Sequence, residues 1–294
     1  MNGGYSAFPN ETSRLIFAQP RWLRGIRTDV RLPQDARTVY TGCGTSFHAA
    51  QTGGKAVQAL DLVANVRLDM GLLVLLSHEG ETELTLEVAR EYTSVPKWLV
   101  TGAADSSIAR LCEQVIVAAP ELETSWCHTA SYTAAVAQLA ALRGEDVSWL
   151  PEAVERVLAG PRLEPSDHER WLVAGAGGDL PTAREAVLKL REGAQVVAEV
   201  HHTEELLHGE LAAVDDTVRC FVLQGSGRIA HRSEQAAAAL SALGCDVTLI
   251  PTQHPVVDIV QFQLLTVDLA ARRGVNPDQI RRDEEPWARA RAAY

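Results

Sequence analysis

Two short turns, each following an apolar run, carry glycines and hydroxyls that suit the binding of an anion. The first is "TGCGTSFHAA" (41–50), after "TVY", and the second is "SHEGETELT" (77–85), which closes the run "LLVLLS". A strand, a Gly-rich turn and a helix together direct backbone N–H groups and the positive end of the helix dipole toward a ligand. The alternative is that Gly42 and Gly44 serve only to make a tight turn.

A third pattern lies in the second half of the chain, where Glu185, Lys189 and Glu192 are spaced i, i+4 and i+7. On a helix this spacing places all three side chains on one face. Carboxylates beside a lysine could transfer protons. A solvated stripe of ion pairs has the same spacing. The flanking polar residues widen the polar arc to about half of the helix circumference, as in an ordinary amphipathic helix.

These residues are positioned by apolar runs that alternate with helical stretches. Eight runs are predicted to be strands: 38–42, 72–77, 97–102, 114–119, 170–178, 195–200, 218–225 and 245–251. Runs that are apolar on both faces and separated by helices indicate parallel sheets covered on each side. Helices are predicted over 47–60, 82–92 and 130–144, and the charged, proline-punctuated stretch 150–170 reads as a connector.

The two halves of the chain repeat one arrangement. "VYTGCGTSFHAA" and "LVAGAGGDLPTAREAVLKL" each give a strand, a Gly-containing turn and a helix. We therefore predict an α/β protein with two doubly wound parallel-sheet domains, residues 1–155 with an N-terminal helical extension and residues 156–294 with a C-terminal tail. Ligands of such sheets bind at the carboxyl ends of the strands, where these turns lie.

The bulk properties exclude several classes of protein. Of the 294 residues 46% are hydrophobic and 22% charged, as in globular proteins, and no apolar run approaches the roughly 20 residues of a membrane span. A net charge of −11 argues against nucleic-acid binding. Five scattered cysteines without a CxxC pair predict reduced thiols in a cytoplasm and no structural zinc site. The N-terminus lacks the pattern of a signal peptide.

No cofactor is predicted. A dinucleotide fingerprint would need glycine at position 47 or 180, where Phe47 and Leu180 stand. His201 and His202 lie near His208, but nothing supplies further metal ligands with a known spacing, so no metal is predicted either.

The motifs in order resemble the SIS (sugar isomerase) family, in particular the isomerase half of glucosamine-6-phosphate synthase. "CGTSFH" and "SHEGET" are similar to the family's CGTS and SQSGET turns, which bind a sugar phosphate. "EAVLKLREGAQVVAEVHHTEELLHGELAAVD" is similar to the family's E-x-A-L-K-L-K-E … G-E-L-x-H-G-P-L-A-L-I-D. The resemblance runs from about residue 36 to about residue 285.

The resemblance implies a flavodoxin-like three-layer fold, a homodimer and a set of residue roles. Glu192 corresponds to the base that moves a proton between C1 and C2 of an open-chain sugar, Lys189 lies nearby, and His208 from the neighbouring subunit assists ring opening. Nine residues are expected to bind substrate: Cys43, Gly44, Thr45, Ser46, Ser77, His78, Glu79, Thr82 and Trp126. The 294 residues leave no room for a glutaminase domain, so the chain is not expected to draw ammonia from glutamine.

Three stretches depart from the family pattern. Glu79 replaces a serine of SQSGET, and a carboxylate beside a phosphate is repulsive by about 1 to 4 kcal/mol at about 4 Å. Trp126 stands for a valine, either reshaping the pocket or packing as core, and Ala130 for a lysine. The tail "NPDQIRRDEEPWARARAAY" contains no lysine for the family's Schiff base. Its arginines at 281 and 282 either supply positive charge to the site or belong to a solvated end.

Two functions follow. The first is an isomerase or deglycase of a sugar phosphate or amino-sugar derivative that uses Glu192 and His208. The second is a regulatory protein that binds a sugar derivative without chemistry, which the altered phosphate and lysine positions favour.

Overall fold

Two parallel four-stranded sheets form the framework of the computed structural model, which describes residues 10–64 and 68–293. The strands are β1 (Thr38–Thr41), β2 (Leu72–Leu76), β3 (Lys97–Thr101), β4 (Gln114–Val117), β5 (Arg170–Gly175), β6 (Val197–His202), β7 (Val218–Leu223) and β8 (Asp246–Ile250). All eight predicted strands are present, with β6 two residues later than predicted, and the prediction of an α/β fold is confirmed. Residues 1–9, part of the segment judged not to be a signal peptide, lie outside the described residues.

Helices cover the sheets and connect them. They are α1 (Glu11–Leu23), α2 (Thr45–Gly53), α3 (Ala59–Val63), α4 (Glu83–Glu91), α5 (Ala130–Leu142), α6 (Leu150–Ala159), α7 (Leu180–Gly193), α8 (Thr203–Leu207), α9 (Arg228–Ala242), α10 (Pro255–Arg273) and α11 (Trp287–Arg291). None of the helices in the described part of the chain is long and apolar enough to cross a bilayer.

The interpretation of 150–170 as a connector is wrong for its first half, which is helix α6. Pro151 lies in the first turn of this helix, where its missing N–H group has no intrahelical partner to lose. Leu150, Ala153 and Val154 are buried at the i, i+3, i+4 spacing of a packed face. Prolines and charges thus punctuate the ends of a helix here.

The predicted helix over 47–60 is also interrupted, because α2 ends at Gly53 and α3 begins at Ala59. Gly54 has φ +138°, a conformation that favours glycine, and a Cβ at Gly53 would collide with the Tyr40 ring. Between the two helices the backbone at Ala56 makes a parallel bridge to Tyr40.

That bridge gives both sheets the same topology. The second sheet has the order β6-β5-β7-β8, and the first has the order β1-β2-β3-β4. The Ala56 bridge lies beside β1 on the side away from β2, just as β6 lies beside β5 on the side away from β7. This is the flavodoxin-like arrangement, in which ligands bind at the switch point beside the first strand.

Helices from both halves pack together between the sheets. α7 packs on α10 and α2, and α2 packs on α5. One continuous core contains Phe47 of α2, Tyr132 of α5, Leu190 of α7 and Phe262 of α10. The turn at the start of α2 therefore meets the polar face of α7 from the other half of the chain.

Candidate functional site

A buried ion network joins the two halves where α2 meets α7. Lys189 Nζ lies 2.6 Å from Glu192 Oε2 and 3.4 Å from Glu185 Oε1. Glu185 and Lys189 are both 0% exposed, so the reading of this face as a solvated stripe is wrong. Burial alone would lower the pKa of Lys189, but the Glu192 and Glu185 carboxylates more than offset that and raise it. The lysine is therefore a permanent cation shared by two carboxylates.

Glu185 is fully satisfied by its neighbours. Thr45 Oγ1 donates to Oε1 at 3.1 Å and His48 Nδ1 lies 2.8 Å from Oε2. Because a carboxylate only accepts hydrogen bonds, Nδ1 of His48 must carry a proton. Lys189 also donates to Thr45 at 3.2 Å, so the hydroxyl links the turn to the network. Neither His48 nor Glu185 was predicted as a site residue.

Glu192 is more exposed than Glu185 and has fewer hydrogen-bond partners. Its side chain is 23% exposed, and its Oε2 accepts a hydrogen bond from Lys189 Nζ at 2.6 Å. Burial raises the pKa of Glu192, and the Lys189 charge only partly opposes this. Glu192 is thus a carboxylate of increased basicity with an accessible edge.

A narrow pocket begins at Thr45 of this network and lies at the carboxyl ends of β2 and β3, whereas Glu192 lines a separate cavity with Gln195 and Arg281. Its polar walls are Thr45, Ser46, Ser77, His78, Thr101, His128, Ser131 and Tyr132, and its floor is apolar. The pocket holds about 20 Å³, which is space for about one water molecule. A sugar can enter only when side chains of the walls move apart.

The second turn is held by its own hydrogen bonds. Ser77 Oγ lies 3.0 Å from Thr82 Oγ1 and accepts from the Gly80 N–H at 3.1 Å. Gly80 has φ +70° and a Cβ there would collide with Ser106, so this glycine is required by the turn. Glu79 is exposed and does not line the pocket, which places its charge outside the pocket wall.

Only some of the predicted residues of the first turn line the pocket. Ser46 and Thr45 line the pocket, but Cys43 contacts Thr85 on the other side of the turn at 3.6 Å. Burial raises the pKa of the Cys43 thiol, which keeps it protonated. Gly44, with φ +55°, forms the cap of α2 and is exposed.

His78 is a neutral imidazole in the pocket wall. Its Nε2 accepts from the Glu123 N–H at 2.9 Å, so its proton must lie on Nδ1, and burial lowers its pKa to about 4. The Glu123 carboxylate accepts from the backbone N–H groups of Thr129 and Ser131 at the start of α5. Glu123, which sequence reasoning passed over, therefore fixes the loop 123–131 by capping a helix N-terminus.

That loop carries His128, which lines the pocket, and Trp126, which does not. His128 lines the pocket with its ring centroid 5.3 Å from that of His78, and burial lowers its pKa to about 3. Trp126 is 39% exposed, so it is not a core residue, and Arg282 Cζ lies 3.5 Å from its ring centroid. The interpretation of the tail as a solvated end is wrong for this arginine.

His208 lies apart from the network within one chain. Its side chain is 70% exposed and its Nε2 lies 2.8 Å from Glu204 Oε1. His202 caps α8 by accepting from the Glu204 N–H, and His201 pairs with Glu210. No group of three or more metal-ligating side chains occurs within residues 10–64 and 68–293.

Comparison with known proteins gives a consistent picture of the fold. Residues 166–276 match the SIS domain. Glutamine–fructose-6-phosphate aminotransferase [isomerizing] of Methanothermobacter thermautotrophicus is 26% identical over 94% of this chain, which spans 56% of that protein. The chain thus corresponds to about half the length of such relatives.

Two solved structures have the same architecture over nearly the whole chain. The C-terminal domain of glucosamine-fructose-6-phosphate aminotransferase from Francisella tularensis has a TM-score of 0.77 at 19% identity, covering 92% of this chain and 98% of that one. Glucosamine-6-phosphate deaminase from Thermotoga maritima has a TM-score of 0.77 at 20% identity, covering 92% and 97%. The chain therefore contains an SIS domain at residues 166–276, within a two-sheet fold similar to that of these two proteins.

Proposed function

We propose that this protein is an isomerase or deglycase of a sugar phosphate or amino-sugar derivative, with Glu192 as the proton-transfer group. The observation that carries the proposal is the contrast between the two carboxylates on Lys189. Glu185 is buried and fully hydrogen-bonded, whereas Glu192 is held on one side and exposed on the other. A purely structural ion pair does not need an accessible carboxylate with a raised pKa, but a general base does.

The chemistry assigned to the site is a proton shift on the open-chain sugar. Glu192 removes the proton from one of the two carbons C1 and C2 while the carbonyl oxygen on the other gains a proton, giving an enediol. Return of the carboxyl proton to the other carbon, while the hydroxyl on the first carbon gives its proton to solvent and becomes the new carbonyl, completes the isomerisation. Lys189 fixes the orientation of Glu192, and the hydroxyls and backbone N–H groups at Thr45, Ser46 and Ser77 receive hydroxyl groups of the sugar.

The names of the similar proteins support this class of reaction. The curated relative is an isomerizing aminotransferase of fructose 6-phosphate and a structural neighbour is a glucosamine-6-phosphate deaminase. Both names describe changes at the first two carbons of a 6-phosphosugar. The substrate of this chain is proposed to belong to that chemical group.

Exchange of substrate hydrogen with solvent tests the proposal directly. We expect the protein in D2O to exchange the C1 or C2 hydrogen of fructose 6-phosphate or glucosamine 6-phosphate, which proton NMR follows, because base-catalysed enolisation passes the proton through a carboxyl group. Thermal shifts with each sugar, with and without its phosphate, report binding alongside exchange. If a sugar, with or without its phosphate, raises the melting temperature but exchanges no hydrogen, the proposal of an enzyme is contradicted.

That outcome would support the second candidate, a regulatory protein that binds a sugar derivative without chemistry. It is favoured by the narrowness of the pocket and by the tail, in which arginine rather than lysine lies beside the pocket. The shared buried lysine speaks against it, since binding alone needs no such network.

The proposed assembly is a homodimer of two-domain chains, with domains 1–155 and 156–294, acting in the cytoplasm. His208 is exposed and apart from the Lys189 network in its own chain. In the proposal it completes the site of the partner chain. A closed two-fold dimer then contains two shared sites.

Mixing two inactive variants tests the shared site. We expect His208→Ala and Glu192→Gln each to lose activity, and a reassociated equal mixture to recover about one quarter of the wild-type rate, because half of the dimers are mixed and each has one intact site. His231→Ala, at an exposed histidine of α9, is the control. If the mixture gains nothing although mixed dimers form, His208 does not act across an interface.

A further inference from the structure

Arg282 holds an uncommitted positive charge beside the pocket. Its guanidinium carbon lies 3.5 Å from the Trp126 ring centroid, and Trp126 stands two residues before His128, which lines the pocket. Within the described residues its side chain donates no hydrogen bond and forms no ion pair with a carboxylate. Its five N–H donors are therefore available to a ligand.

The other cations near the site are already in use. Lys189 is shared by Glu192 and Glu185. Arg281, the neighbour of Arg282, donates to Gln195 Oε1 at 2.6 Å and lies 3.8 Å from Glu284. An anionic ligand at the pocket therefore finds its unpaired counter-charge at position 282.

The surroundings hold the guanidinium in one place. The Trp126 N–H donates to the Asp278 carbonyl at 2.9 Å, which ties the loop to the tail. A guanidinium that lies on an aromatic face keeps its N–H groups free at the edge, and a planar fork suits the two oxygens of a carboxylate or phosphate. An exposed tryptophan in contact with a free arginine is thus a preformed anion site.

The second turn is poorly suited to be that site. The Ser77 hydroxyl is engaged with Thr82 and Gly80, and Glu79 adds a negative charge to the same turn. Anion recognition is therefore better placed on the loop and tail than on this turn.

We propose that Arg282, supported by Trp126, binds an anionic group of the sugar ligand, a phosphate or a carboxylate. The inference rests on the proposed function, since it assigns a specificity residue to that same pocket. It makes Arg282 the residue that selects charged sugar derivatives over neutral ones.

Calorimetric titration at low ionic strength tests this selection. The probes are fructose 6-phosphate and fructose, which share a sugar frame and differ only in the phosphate, and glucuronate, which carries a carboxylate on a glucose frame. For whichever anionic probe the wild type binds, we expect Arg282→Gln to weaken binding about tenfold or more and to leave fructose binding unchanged, because a charge-assisted bidentate contact is lost. Arg282→Lys should lie between, since it keeps the charge without the planar fork.

Two further variants serve as controls for Arg282→Gln. Arg272→Gln removes an arginine of α10 that pairs with Asp167, and it should bind all probes like the wild type. Trp126→Phe keeps an aromatic face of smaller size and should weaken the anionic probe less than Arg282→Gln does.

Each pattern of results decides a different point. Equal binding of the anionic probe by the wild type and Arg282→Gln overturns this inference and leaves the proposed function standing. Equal weakening of fructose and the anionic probe also overturns it, because the arginine would then shape the loop rather than read charge. If the wild type binds none of the probes, the proposed function and this inference both fail.

Discussion

Glu192→Gln is expected to abolish exchange of the C1 or C2 hydrogen while sugar binding, thermal stability and assembly stay near wild type. The amide has nearly the shape of the carboxylate and can still accept from Lys189, but it cannot take up a proton. General-base groups contribute about 10²- to 10⁴-fold, so the exchange rate should fall by at least about a hundredfold. NMR exchange rates and calorimetric affinity for fructose 6-phosphate are measured on the same samples.

The control for this variant is Glu205→Gln, which makes the same chemical change at an exposed position of α8. It should exchange substrate hydrogen at the wild-type rate. A Glu192→Gln protein that loses its assembly or melts much earlier would mean that Glu192 is a structural partner of Lys189. Wild-type exchange in that variant would remove Glu192 from the mechanism.

Lys189→Met is expected to cost the fold about 3 to 5 kcal/mol of unfolding free energy, because it leaves buried charge without its counter-ion. Glu185 is 0% exposed, and its remaining partners are Thr45 and His48. Methionine nearly fills the space of the lysine stem, so the loss reports charge more than volume. Urea denaturation of both proteins gives the difference.

The stability that Lys189→Met loses should increase with pH. Burial already raises the pKa of Glu192 and Lys189 opposes it, so the variant holds the Glu192 proton more tightly when folded than when unfolded. The folded state then binds more protons, and its stability falls as pH rises above the ordinary range of glutamate. The difference from wild type should therefore be larger at pH 8 than at pH 4.5.

Lys55→Met is the matched control, since Lys55 is exposed and its substitution should change stability little at either pH. A loss in Lys189→Met that is equal at both pH values would indicate a packing defect. No loss at all would contradict the ion network as described.

Patterns of apolar residues predicted the framework well, because buried parallel strands leave the same short signature wherever they occur. Prediction failed where one residue type serves two purposes. Pro151 begins a helix although prolines also mark loops, and Gly54, at φ +138°, follows the end of α2, while the Tyr40 ring leaves no space for a Cβ at Gly53. Neither distinction can be made without the fold.

The candidate site was predictable only in part. Spacing placed Glu185, Lys189 and Glu192 on one face, but spacing alone is the same for a solvated stripe and for a buried network. The difference arises because α2 of the other half covers this face and brings Thr45 and His48 to it. His48 is the last residue of the quoted motif "CGTSFH", and a search of that motif for groups able to pair with Glu185 would have found it.

The contact of Asp278 with α1 links regions that are far apart in sequence. Its carboxylate accepts from the N–H groups of Glu11 and Thr12, which are otherwise unpaired at a helix start, and from the Thr12 hydroxyl. Arg282 follows four residues later, so loss of the Asp278 contacts would loosen the start of α1 and the arginine-bearing tail together. If Arg282 binds the ligand as proposed, a substitution at Thr12 is therefore expected to weaken ligand binding without touching the ligand.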